Sequence, residues 1–107
     1  MNSKSKTVSM IGMAYKANKI ISGEELLKKT IKENKIKLLI IAEDASNNTK
    51  KRFINNAMRH NIPYYIYLTM EDFSRSLGWK NRAVIGITDT NFSDILGKLM
   101  CDSNNRI

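Results

Sequence analysis

Five consecutive apolar residues, Leu38-Leu39-Ile40-Ile41-Ala42, set the terms on which this chain folds. A strand with one face in water alternates polar and apolar side chains. This run has no polar position, so it reads as a strand covered on both faces, inside a sheet flanked by helices. It is also the longest unbroken apolar stretch, far short of the roughly 20 residues that span a bilayer.

The flanking sequence supplies the helices. Val8, Ile11, Ala14 and Tyr15 recur at three- and four-residue spacing and predict a helix over about 8–17. Ile20-Ile21 is a short extended piece. Ser22-Gly23-Glu24-Glu25 sets a hydroxyl three residues before a carboxylate, the pattern of a capping box, with Leu27 and Ile31 on one face of the helix behind it. After the loop Glu43-Asp44-Ala45, the residues Ser46, Asn47, Asn48 and Thr49 offer N-caps for a helix to about His60, with Ile54, Ala57 and Met58 inward. Asn61 suits a left-handed helix end, and Ile62 before Pro63 is extended. Tyr64 to Leu68 reads as a strand, Thr69-x-x-Asp72 opens a short helix that Gly78 stops, and Ala83 to Thr88 is another strand. Phe92, Ile95, Leu96 and Leu99 form a helical stripe, followed by a polar tail from Asp102 to Ile107. Strands alternating with helices predict an α/β protein, a three-layer α/β/α sandwich with a mostly parallel sheet. At 107 residues this is a single domain, 1–107, with 1–7 and 102–107 as flexible ends.

Charge narrows the function. The chain carries 18 Lys and Arg against 10 Asp and Glu, a net +8. Residues 1–37 alone hold nine lysines against three glutamates, whereas 81–107 balance at three of each. A one-sided excess of lysine concentrates polyanions, and a small basic domain of this kind points to nucleic acid. One cysteine, Cys101, precludes an internal disulfide, and one histidine, His60, leaves a zinc cage or a Ser-His-Asp triad poorly supplied. No GxGxxG or phosphate-loop motif is present, so no cofactor is expected. No secretory apolar stretch follows the polar start, and the expected location is the cytoplasm.

The stretches Gly12 to Leu26 and Lys37 to Ser46, continued by Asn61-Ile62-Pro63, Leu77-Gly78 and Ala83 to Thr88, resemble the bacterial YlxQ-like proteins of the L-seven-Ae type superfamily of ribosomal and kink-turn RNA-binding proteins. The likeness covers roughly residues 9–100. It implies a sandwich with a four-stranded mixed sheet that binds structured RNA, ribosomal or kink-turn-like, without catalysis, with ribosome-associated proteins as further expected partners. It also implies an RNA face built from Gly23 to Lys29, the loop Glu43-Asp44-Ala45, and Trp79 to Arg82. The family signature is a glycine, any residue, Asn or Lys, then Glu or Gln, with a lysine three further on. Gly23 and Lys29 are kept, while Glu25 and Leu26 fill the two polar reading positions. A leucine cannot hydrogen-bond a guanine edge and Glu25 repels phosphate, so the RNA-binding class carries over more directly than the kink-turn.

The candidate site residues are Lys19, Gly23, Glu25, Lys28, Lys29, Lys32, Asp44, Trp79, Lys80, Asn81 and Arg82. Gly23 lets a backbone approach helix N–H groups, or is an ordinary helix entry. Glu25 is either the capping partner of Ser22 or an acceptor from an exocyclic amino group. Lys19, Lys28, Lys29 and Lys32 track phosphates, or are solvated surface lysines. Trp79 stacks on an unpaired base with Arg82 on phosphate, or folds back onto the sheet edge. Asp44 caps the next helix and shapes its loop. Glu43 and Asp44 also motivate a rival reading, a Mg²⁺-binding receiver domain, which needs another acid and a well-placed lysine; Asp89 ends the last strand, but nothing else in the pattern fits. A third reading is a protein-interaction module that exposes Leu26 and has lost RNA recognition.

Overall fold

The computed structural model describes residues 3–78 and 80–104. Five helices alternate with four strands: α1 (Ser3–Lys16), β1 (Ile20–Ser22), α2 (Glu24–Lys32), β2 (Leu38–Ile41), α3 (Asn47–Arg59), β3 (Tyr64–Ile66), α4 (Met70–Leu77), β4 (Val84–Ile87) and α5 (Thr90–Asn104). The apolar run is the covered strand it was expected to be: Leu38 to Ala42 are all buried. Helix α1 begins at Ser3, well before its apolar periodicity predicts, so residues 3–7, set apart in the sequence as a flexible end, are helical and Thr7 is fully buried.

The sheet is mixed, in the order β1-β4-β2-β3. Only β2 and β3 pair in parallel; β4 lies antiparallel between β1 and β2. The mostly parallel sheet expected from alternation is therefore corrected. A crossover helix makes β1 and β2 run the same way, but it does not make them neighbours, and the last strand inserts between them with reversed direction. Ile21 and Leu39 both oppose Gly86 across this central strand.

Helices α2 and α3 pack against one another, and α1 packs against α4 and α5. A side chain at Gly86 would press on Leu27 Cδ2 and Ile36 Cδ1, so glycine lets α2 sit directly on β4. Thr49, Phe53 and Ala57 define the buried stripe of α3. Met58, expected inward, is 65% exposed because it stands one residue, about 100° of helix turn, beyond Ala57.

Local signals fixed two helix ends. Thr69 caps α4: its hydroxyl accepts from the Asp72 N–H at 3.2 Å, and the Asp72 carboxylate accepts from the Thr69 N–H at 2.9 Å. Gly78 closes the same helix in the left-handed region at φ 76°. The expected capping box at Ser22 does not form. Ser22 belongs to β1 and pairs with Ile85, so the helix starts one residue later with Gly23 as N-cap.

Candidate functional site

The topology puts four loops at one end of the sheet. Strands β1, β2 and β3 finish there and the antiparallel β4 begins there. Across that end lie Gly23, the segment entering β4, the β2–α3 loop and the β3–α4 loop. Backbone and side-chain bonds lace three of them together. The Ala42 N–H donates to Ala83 O at 2.8 Å, the Glu43 N–H to Leu68 O at 2.7 Å, and the Met70 N–H to Asp44 Oδ1 at 2.9 Å. Asp44 was expected to cap α3, the next helix. Ser46 does that instead, accepting from the Thr49 N–H, and Asp44 reaches across to the first residue of α4.

Gly23 adopts φ 95° and ψ 126°, a combination that strains any residue with a Cβ. This pivot turns the chain from the sheet into α2. Gly23 brings no side-chain cap to the helix start, where the positive end of the helix dipole lies. A methyl group built on Gly23 would stand 3.5 Å from Arg82 Nη1, so the guanidinium lies against the glycine. Gly23, Glu24, Asn81, Arg82, Ala83 and Val84 line a pocket of about 250 Å³. Asn81 takes a left-handed turn at φ 62° that delivers Arg82 to it.

Of the residues singled out by sequence, Gly23, Asn81 and Arg82 thus come together, with Lys80 exposed on the same loop and Asp44 at the same sheet end. Trp79 lies outside the described residues. Lys19 does not join them. It precedes β1, its carbonyl accepts from the Thr88 N–H at 2.9 Å, and the length of β1 separates it from Gly23. Glu25 is not a cap: its side chain is 92% exposed and pairs with Lys28 at 3.3 Å. The lysines of α2 divide. Lys28 and Lys32, four residues apart, face α3, whereas Lys29 is exposed three residues on from Leu26. Leu26 itself is 48% exposed.

Sequence reasoning missed Arg52. It sits on α3, in the basic run Lys50-Lys51-Arg52, and pairs with Glu24 at 2.8 Å, tying α3 to the first turn of α2. The run was visible, but its register toward α2 depends on tertiary packing. The receiver-domain reading is not supported by the topology. Asp44 follows β2 and Asp89 follows β4, and because these strands are antiparallel the two carboxylates lie at opposite ends of the sheet. Asp89 accepts from the Phe92 N–H at 2.9 Å in the first turn of α5. Among the described residues no group of three or more His, Cys, Asp or Glu side chains could hold a metal ion, and no helix is long and apolar enough to cross a membrane.

Residues 5–97 match the family model described as Ribosomal protein L7Ae/L30e/S12e/Gadd45 family. Two relatives named RNA-binding protein YlxQ are each 34% identical to this chain. The one from Bacillus subtilis aligns over 91 residues, 85% of this chain and 91% of its own length. The one from Enterococcus faecium aligns over 90 residues, 84% and 86% respectively. The solved structure of a protein with unknown function from Bacillus halodurans C superposes with a TM-score of 0.85 at 30% identity, covering 89% of this chain and 96% of its own. The 15.5kD RNA binding protein of Giardia lamblia superposes over 100% of this chain and 92% of its own with a TM-score of 0.76; at 14% identity it attests the fold.

Proposed function

We propose that this chain, which belongs to the ribosomal protein L7Ae/L30e/S12e/Gadd45 family, binds structured RNA, ribosomal or kink-turn-like, and does so without catalysis. The relatives named as RNA-binding proteins support the class, and one observation of this molecule carries the site. The Arg82 guanidinium lies against Gly23 at the uncapped start of α2. A permanent cation beside the N-terminus of a helix attracts a phosphate. Lys29 and Lys80 flank this point and position the RNA. Leu26 offers no hydrogen bond, so it contributes an apolar surface rather than a contact to a base edge.

Crosslinking the protein to cellular RNA and mapping both partners tests this reading. The expected result is a reproducible folded RNA crosslinked within 23–29 and 80–82, lost in an Arg82→Glu variant. Recovery of no reproducible RNA, or equal recovery by the variant, would overturn it.

A second reading rests on the exposure of Leu26, which favours a protein-interaction module on the same fold. It predicts that Leu26→Ser abolishes recovery of a protein partner while leaving any RNA crosslinks unchanged.

A further inference from the structure

A second basic surface adjoins the loop end. Helices α2 and α3 enclose a groove of about 300 Å³ lined by Lys28, Ile31, Lys32, Arg52, Asn56, Arg59 and His60. Among the described residues no carboxylate lines it. Lys28 and Arg52 are partly neutralised at its upper end by Glu25 and Glu24. Lys32 and Arg59, further down, have no carboxylate within ion-pair distance among the described residues, and both are exposed. His60 continues the groove into a neighbouring depression that holds Lys37 and Asn61.

We infer that this groove seats the phosphate backbone of an RNA stem leading away from the element held at the loop end. The inference deepens the proposed function and rests on it. Four observations select this occupant. Glu24 lines the Gly23 pocket and pairs with Arg52, which lines the groove, so the two surfaces are continuous. The lining is cationic and amide-bearing, the chemistry that contacts phosphate oxygens. Among the described residues it holds no Phe, Tyr or Trp on which unpaired bases would stack. Helix α2 spans about 13 Å along this track, at 1.5 Å per residue, longer than a single phosphate contact.

Two RNA hairpins separate the parts. One carries an internal bulge between long base-paired stems; the other keeps the bulge but trims each stem to four base pairs. The full-length chain, a Lys32→Glu/Arg59→Glu variant, its neutral counterpart Lys32→Gln/Arg59→Gln, and Arg82→Ala are titrated at several salt concentrations, with circular dichroism to confirm folding. The glutamate variant should bind the long hairpin about tenfold or more weaker, and its slope of log affinity against log salt should fall by about two. The glutamine variant should lose less affinity but show the same change in slope, and both should bind the trimmed hairpin like the unaltered chain. Unchanged affinity and slope on the long hairpin, with Arg82→Ala defective on both RNAs, would overturn the groove and leave the loop-end reading standing. Equal weakening on both hairpins would overturn the stem as its occupant. If the unaltered chain binds neither RNA, the groove and the loop-end reading fall together.

Discussion

Two residues hold backbone geometry that their surroundings must impose. Gly23 is one, and sequence reasoning singled it out because glycine before a helix is a visible signal. Leu68 is the other, and it passed unnoticed as the end of a strand. It sits at φ 69°, a region that L-residues other than Asn and Asp seldom enter, while its side chain is 1% exposed. Its carbonyl accepts from the Glu43 N–H, so the strained residue clamps the β3–α4 loop onto the β2–α3 loop at the sheet end that carries Gly23. Burial of the leucine side chain offsets the strain. This separates two truncations. Leu68→Ala removes the buried side chain and keeps the strain; Leu68→Gly removes both. Ordinarily glycine is the worse replacement, by roughly 0.5–1 kcal/mol. Here the order should reverse, with Leu68→Gly more stable than Leu68→Ala by about 1 kcal/mol in urea unfolding. Finding alanine the more stable variant would mean that φ at this position relaxes freely.

At the level of elements, what could be read in advance was what is decided within one turn of chain. Thr69, Asp72 and Gly78 set both ends of α4 with groups within a few residues of one another, and the capping box was visible as a spacing. The identical spacing at Ser22 and Glu25 misled, because pairing of Ser22 with Ile85 is decided by a strand more than sixty residues away. The same distance hid the insertion of β4 between β1 and β2. Gly86 belongs with these: nothing around it in sequence announces that Leu27 and Ile36 press toward its hydrogen. Gly86→Ala should overpack that contact and cost about 1–3 kcal/mol, read as a lowered thermal midpoint. The box at α4 supports a prediction with a pH signature. Burial by itself raises the Asp72 carboxyl. The Thr69 backbone N–H and hydroxyl, and Lys4 at 3.4 Å, outweigh it and hold the group below its ordinary value. On acidification the unfolded chain takes up the proton first. The stabilisation is therefore complete above the ordinary carboxylate range and disappears as pH falls through the lower folded-state value. Asp72→Ala should cost about 1–2 kcal/mol at neutral pH. The gap from the unaltered protein should narrow steadily below the ordinary Asp value, and a gap independent of pH would place the loss in packing rather than in the carboxylate.

Across the whole molecule, folding redistributes the charge that the sequence concentrates in its first third. Helices α2 and α3, on one face of the sheet, carry seven basic and two acidic side chains, net +5. Helices α1, α4 and α5, on the other face, carry five basic and four acidic ones, net +1. The lysines of α1 and α2 are neighbours in sequence but belong to different layers, and the α3 cations, which the linear count spread thinly over the middle of the chain, join those of α2. Two explanations of RNA affinity then part company. If attraction follows net charge alone, neutralising any two exposed lysines has the same effect. If contacts are made by the α2–α3 layer and the adjoining loops, position decides. Lys6→Gln/Lys16→Gln, both on exposed positions of α1, and Lys29→Gln/Lys32→Gln, both on exposed positions of α2, each lower the charge by two. For the α1 pair, long-range steering weakens slightly at low salt, and the slope of log affinity against log salt stays that of the unaltered chain. For the α2 pair, each lost phosphate contact no longer releases its counterion, so the slope should fall by about two and affinity should drop at every salt concentration. Equal slopes for the two pairs would show that the layered charge has no part in holding the RNA.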